Sequence, residues 1–187
     1  MDKPKVDIWV YAHWVGMKDP RCIGILSAHF GKGRKSFSFE YDKEWISSQE
    51  QLLLDPDLGW YSGLQFPYEK ENFGVFLDSM PDSWGRTLMQ RREPIRAKEE
   101  GREPGKLNDI DYLLGVFDES RMGALRFKLV PEGPFLDVAS GNTAPPWTSL
   151  GELQKAVKVI ESDEDDEHIR DRILILIAPG TSLGGAR

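Results

Sequence analysis

Cysteine is almost absent: Cys22 is the single one in 187 residues. An intramolecular disulfide framework is therefore excluded, and a reducing compartment is expected. Long apolar runs are missing too, since none approaches the ~20 residues that a membrane helix needs. The opening Met1-Asp2-Lys3-Pro4-Lys5 leads into a strand-like segment without the apolar core of a secretory leader. A cytoplasmic protein without membrane contact is the expectation. The three histidines, His13, His29 and His168, lie far apart with no cysteine nearby, so metal-ligand spacing is lacking and each is expected to be an ordinary surface or strand residue. Positive charge is in deficit, with 24 Lys and Arg against 31 Asp and Glu, a net charge of −7. That balance argues against direct nucleic-acid binding by the chain as a whole. Paired carboxylates in a substrate-like setting, a Ser/His/Asp arrangement and a Cys/His pair are also missing, so no catalytic residue and no metal site is assigned. There is no internal repeat and no low-complexity tract.

What is present is material for a core: 40% of the residues are hydrophobic and 11% aromatic, and six tryptophans are scattered from end to end. The length suits one domain or two small subdomains. Val6 to Ala12, rich in Val, Ile, Trp and Tyr, reads as a strand, and Cys22 to Phe30 as a second. Gly31-Lys32-Gly33-Arg34 reverses the chain into Lys35 to Tyr41, where Phe37, Phe39 and Tyr41 alternate with Ser36, Ser38 and Glu40. That alternation predicts a hairpin with one aromatic face. A short helical turn is expected over Asp42 to Ile46 and a loop over Asp55 to Gly59.

Helix is expected from Asn72, as a cap, through Ser79, with Phe73, Phe76 and Leu77 sharing a face. Pro81 breaks it, and Asp82 or Ser83 caps a second helix with Trp84, Leu88 and Ile95 inward. Arg86, Arg91, Arg92 and Arg96 form the one basic patch of the chain, readable as a solvated face or as a surface for a partner. Glu99 to Lys106 reads as a charged linker. Asn108-Asp109-Ile110-Asp111 is a capping box opening a helix with Ile110, Leu113 and Leu114 inward, and Ala124 to Val130 is a strand with Leu125, Phe127 and Leu129 on one face. Ser140 to Pro146 is expected to be a surface loop and Ser149 to Glu152 a capping box; the acids Asp163 to Glu167 suit the first turn of a helix better than a metal.

The chain closes on a glycine-rich stretch, Gly180-Thr181-Ser182-Leu183-Gly184-Gly185-Ala186-Arg187, after the apolar run Ile173 to Ile177. Backbone this free of side chains can approach an anion closely, as phosphate-cradling loops do. It matches neither a Walker A loop nor a dinucleotide-binding glycine pattern, so a plain glycine-rich tail is the competing reading. Ser182 is the one hydroxyl singled out, either as a functional group or as a polar loop residue bonded to nearby backbone.

Several segments in order resemble one family. The strand with Trp9, Phe37-Ser38-Phe39-Glu40-Tyr41 to Trp45-Ile46, Phe76-Leu77-Asp78-Ser79-Met80-Pro81-Asp82-Ser83, Asp111-Tyr112-Leu113-Leu114-Gly115, Arg121-Met122-Gly123-Ala124-Leu125-Arg126-Phe127 and Thr181 to Arg187 are similar to the N-terminal part of HipA-type kinases. Met80 stands where the family often has leucine. The resemblance implies an α+β fold: an antiparallel β-rich N-terminal subdomain with a helical end over 1–100, then over 101–187 helices and a further strand or hairpin leading to the Gly-rich loop. It implies a Ser/Thr protein kinase toxin of a bacterial toxin–antitoxin pair that uses ATP and Mg²⁺. A helix-turn-helix antitoxin would be its partner, and an aminoacyl-tRNA synthetase is the substrate in some members. Thr181, Ser182, Leu183, Gly184, Gly185 and Ala186 would form the nucleotide-phosphate loop, with Ser182 its autophosphorylated residue. A phosphate on Ser182 would put about two negative charges where nucleotide phosphates must sit. The family's ATP-pairing lysine, catalytic aspartate and Mg²⁺ ligands follow that loop and lie outside these 187 residues. The chain is thus expected to be inactive alone and to hold no nucleotide tightly, as a truncated form or as half of a split kinase. The alternative is a non-catalytic module that docks an antitoxin or a separate kinase chain through the arginine patch and the aromatic hairpin face.

Overall fold

The structure is a computed structural model that describes residues 5–31, 34–48, 52–116, 118 and 121–136. It is an α+β fold built on an antiparallel sheet. Among the described residues, four strands, β1 (Lys5–Ala12), β2 (Arg21–Gly31), β3 (Arg34–Tyr41) and β4 (Leu125–Lys128), lie in the order β3-β2-β1-β4. The helices among the described residues are α1 (Lys43–Ser47), α2 (Gly74–Asp78), α3 (Ser83–Glu99) and α4 (Asp109–Leu114). The described chain divides into two units, one of residues 5–79 and 123–136 and one of residues 80–122. The boundary expected at residue 100 falls among the residues of the second unit, whose described part lies between α2 and β4.

In the first unit the period-two pattern does what alternation dictates. Ile8, Val10 and Ala12 of β1, Leu26 and Ala28 of β2, Phe37, Phe39 and Tyr41 of β3, and Leu125 and Phe127 of β4 are buried. A register shift between Val10 and Tyr11 leaves Ile23 as an extra residue on β2. Beside it, a side chain at Gly24 would collide with the Glu40 carbonyl and the Phe39 ring, so this crossing of β2 and β3 requires glycine. Phe73 and Phe76 cap the sheet: Phe76 is 5.4 Å from the Phe39 ring and 6.4 Å from the Phe127 ring, centre to centre. Burying each such ring contributes about 1.5–3 kcal/mol. The strand expected to run to Val130 ends at Lys128, because the turn at Val130 to Gly133 begins there, and Leu129 is exposed rather than inward.

The cap expected at Asn72 also differs. Asn72 accepts from the adjoining Phe73 N–H, whereas the Val75 N–H of α2 donates to Asp55 Oδ2 at 2.9 Å, from a loop twenty residues upstream. Leu77 is 36% exposed, while Phe73 and Phe76 are fully buried.

In the second unit Asp82 caps α3, accepting from Gly85 N–H at 2.8 Å, and Asn108 and Asp111 close the capping box that starts α4. Ile110, Tyr112 and Leu113 are buried and Leu114 is half-buried. The Arg121 guanidinium donates to the Leu113 and Val116 carbonyls at 2.9 and 3.0 Å, satisfying acceptors at the end of α4. α3 runs to Glu99 despite Pro94, which removes the N–H that would meet the Gln90 carbonyl. The Trp84 and Leu88 side chains, and everything expected of residues 137–187, lie outside the described residues. No helix among the described residues is long and apolar enough to cross a membrane.

Candidate functional site

Thr181, Ser182, Leu183, Gly184, Gly185 and Ala186 lie outside the described residues, so the candidate surfaces come from elsewhere. The four arginines of α3 do not share one face. At about 100° per residue they spread over roughly 220° of the helix circumference. Arg86 is taken up within its unit: its Nε donates to the Pro81 carbonyl at 3.1 Å, its guanidinium lies 4.8 Å over the Tyr112 ring, and Asp109 is 3.7 Å away. Arg96 pairs with Glu100 at 2.9 Å, Arg92 is half-buried, and Arg91 is exposed. The segment read as a linker is tied to the same helix, because Glu93, 8% exposed, receives the Arg102 guanidinium and the Gly105 N–H. The Arg102 hydrogen bond holds the Glu93 carboxyl below its ordinary value, against the opposing effect of burial.

The hairpin's aromatic face is the core of the first unit: Phe37, Phe39 and Tyr41 are each 2% exposed or less, so it presents nothing to a partner. Its opposite face carries a polar line that sequence reading missed. Asp7 accepts from Ser27 Oγ and from Lys5 Nζ, and His29 Nε2 lies 2.9 Å from Ser38 Oγ. Cross-strand register assembles it, pairing Asp7 with Ser27 and Ser27 with Ser38. Desolvation raises the Asp7 pKa, but the Ser27 and Lys5 hydrogen bonds outweigh it and hold the carboxyl below its usual value. The residue types match a nucleophile, a base and an acid, yet the arrangement is not a hydrolytic triad. Ser38 is fully buried and Asp7 is committed to Lys5 and Ser27. No cluster of three or more His, Cys, Asp or Glu among the described residues could hold a metal.

The most developed surface is the loop over residues 55–75. Its ends are fastened by Asp55, whose Oδ1 takes the Asp57 N–H and whose Oδ2 takes the Val75 N–H, both at 2.9 Å. Its centre is organised by Gln65, 3% exposed. Gln65 Oε1 accepts from Gly59 N–H at 2.7 Å, and its Nε2 donates to the Gly59 and Tyr61 carbonyls. The Gln65 backbone meanwhile exchanges both hydrogen bonds with Phe39 of β3, at 2.8 and 2.9 Å. Asp57 closes a third point, accepting from the Tyr68 N–H and pairing with Lys70. A loop so cross-linked is a fixed platform. With Gln65 turned inward, alternation puts Leu64, Phe66 and Tyr68 on the other side of the extended segment, where they are 54%, 57% and 72% exposed. Tyr61 is 55% exposed. The expected loop over Asp55 to Gly59 is only the first part of this segment, and the sequence signal for the rest is the recurrence of apolar residues at every second position from 64 to 68. No family model, curated protein or solved structure matches this chain.

Proposed function

We infer that this chain is the N-terminal portion of a HipA-like serine/threonine kinase toxin of a toxin–antitoxin system. The complete enzyme uses ATP and Mg²⁺ and is regulated by phosphorylation of Ser182 in the Gly-rich loop. The 187 residues lack its catalytic groups and transfer no phosphate alone. The observation that supports this reading is where the resembling segments fall. Phe76 to Ser83 carries the chain from α2 out of the first unit and into α3, and supplies the Asp82 cap. Asp111 to Gly115 is α4 and its end. Arg121 to Phe127 begins with the side chain that satisfies α4 and continues into β4. These motifs therefore occupy the entry to the inserted unit, its second helix and its exit, the positions that a shared architecture constrains most.

The test is phosphate transfer from labelled ATP, comparing the chain alone with a form extended by, or mixed with, a segment that supplies the lysine, aspartate and Mg²⁺ ligands. Incorporation only in the completed form, abolished by Ser182→Ala, is the expected result. Labelling that persists in Ser182→Ala removes the loop assignment. The second reading, a non-catalytic module that docks an antitoxin or a separate kinase chain, is favoured by one observation, the exposed apolar side chains on the fixed 55–75 loop. Co-purification with the neighbouring gene's product separates the two: a stable monomer that captures no partner counts against docking.

A further inference from the structure

We propose that the 55–75 loop is a docking site for a protein segment that presents an apolar anchor flanked by basic residues. This surface belongs wholly to the first unit, so it stands apart from the kinase reading. Three features fix the chemistry of the occupant. Leu64, Phe66 and Tyr68 project from one side of the loop and are more than half exposed, as is Tyr61. The loop holding them is cross-linked at Asp55, Asp57 and Gln65, so little conformational freedom is lost on binding. The chain then continues directly into Glu69-Lys70-Glu71, all three exposed. Lys70 is drawn back to Asp57 at 3.6 Å, whereas neither Glu69 nor Glu71 has an ion-pair partner among the described residues. Glu69 sits in the left-handed region at φ 53°, so the backbone turns directly after Tyr68, where the acids follow the apolar row in sequence.

An apolar row followed by carboxylates that have no ion-pair partner among the described residues complements Leu or aromatic anchors with Lys or Arg at their edge. A second copy of this chain does not meet that description, because its matching face would bring the same acids together. An anionic membrane surface is excluded by the same charge.

The probe is a random short-peptide library displayed on phage. It is selected on the wild-type chain and counter-selected on a Phe66→Ser/Tyr68→Ser variant. Both substituted side chains are exposed, so an unchanged urea midpoint and far-ultraviolet spectrum will certify the fold. Enriched peptides should combine Leu, Phe or Trp with Lys or Arg and bind more weakly as salt rises. They should lose roughly tenfold or more in affinity to the double serine variant, the scale of losing aromatic anchors at an interface. With Glu69→Lys/Glu71→Lys, the same selection should return acidic flanks. Failure to enrich any peptide over the counter-selection overturns the proposal, as does enrichment with no charge preference. Sedimentation showing a dimer that the serine variant abolishes gives the face to a second copy instead. Retention on phosphatidylcholine vesicles that is lost in that variant gives it to a lipid surface.

Discussion

Tyr41 carries a hydroxyl that is buried and has no hydrogen-bond partner among the described residues, between the Phe39 and Trp60 rings. Burial, with the Asp55 carboxylate adding to it, pushes its pKa up to about 12 from an ordinary 10.0. The folded state therefore keeps the proton more tightly than the unfolded chain does. That contribution is fully present below pH 10 and is lost as pH rises from about 10 to 12. Tyr41→Phe should be close to neutral at pH 7, since it removes a buried hydroxyl without orphaning a partner. It should flatten the alkaline limb of a stability-against-pH curve measured by urea titration; an unaltered limb would refute the assignment. Gln65 is the opposite case, a buried amide that uses both ends. Gln65→Leu leaves the Gly59 N–H and two carbonyls without partners and should cost about 2–3 kcal/mol. Hydrogen exchange at Gly59 should quicken while the Ile8 amide, in the sheet, stays protected.

At the scale of elements, what could be read from sequence was what is encoded locally. The β2–β3 hairpin announces itself because Phe37, Phe39 and Tyr41 repeat at the period of a strand, and Asn108 with Asp111 announces α4 because a capping box is complete within four residues. The start of α2 departs from the cap expected at Asn72 because its carboxylate comes from Asp55, and no pattern around Asn72 encodes a partner twenty residues away. The 55–75 loop is opaque for the same reason: Gln65 looks like any polar loop residue until its three side-chain hydrogen bonds are seen. The arginines of α3 look like a patch in sequence because a string of positives hides their angular spread and the Asp109 and Glu100 that hold two of them. Where the signal is local it should also be separable. Asp82→Ala removes the acceptor of the Gly85 N–H and should cost about 0.5–2 kcal/mol, recovered in large part by Asp82→Ser. Equal losses for the alanine and serine variants would mean that Asp82 acts through something other than the cap.

Across the whole molecule the decisive fact is that β1 pairs on one side with β2, its neighbour in sequence, and on the other with β4, with residues 13–124 intervening. The first pairing closes a short loop, while the second must wait for the chain of the inserted unit. Nothing in the sequence near Leu125 to Lys128 names β1 as its partner, which is why the strand was legible and its place in the sheet was not. The order of assembly follows from the same topology. The β1–β2–β3 meander forms first, and β4 seats Phe127, fully buried, against Phe76 late. A late contact is nearly absent from the folding transition state, so its loss appears in unfolding. Phe127→Ala should destabilise by about 3–5 kcal/mol. Most of that should appear as faster unfolding in stopped-flow chevrons, with refolding little changed. Leu26→Ala, inside the meander, should instead slow refolding. If Phe127→Ala slows refolding as much as Leu26→Ala does, β4 is part of the nucleus, and the long-range pairing leads the fold.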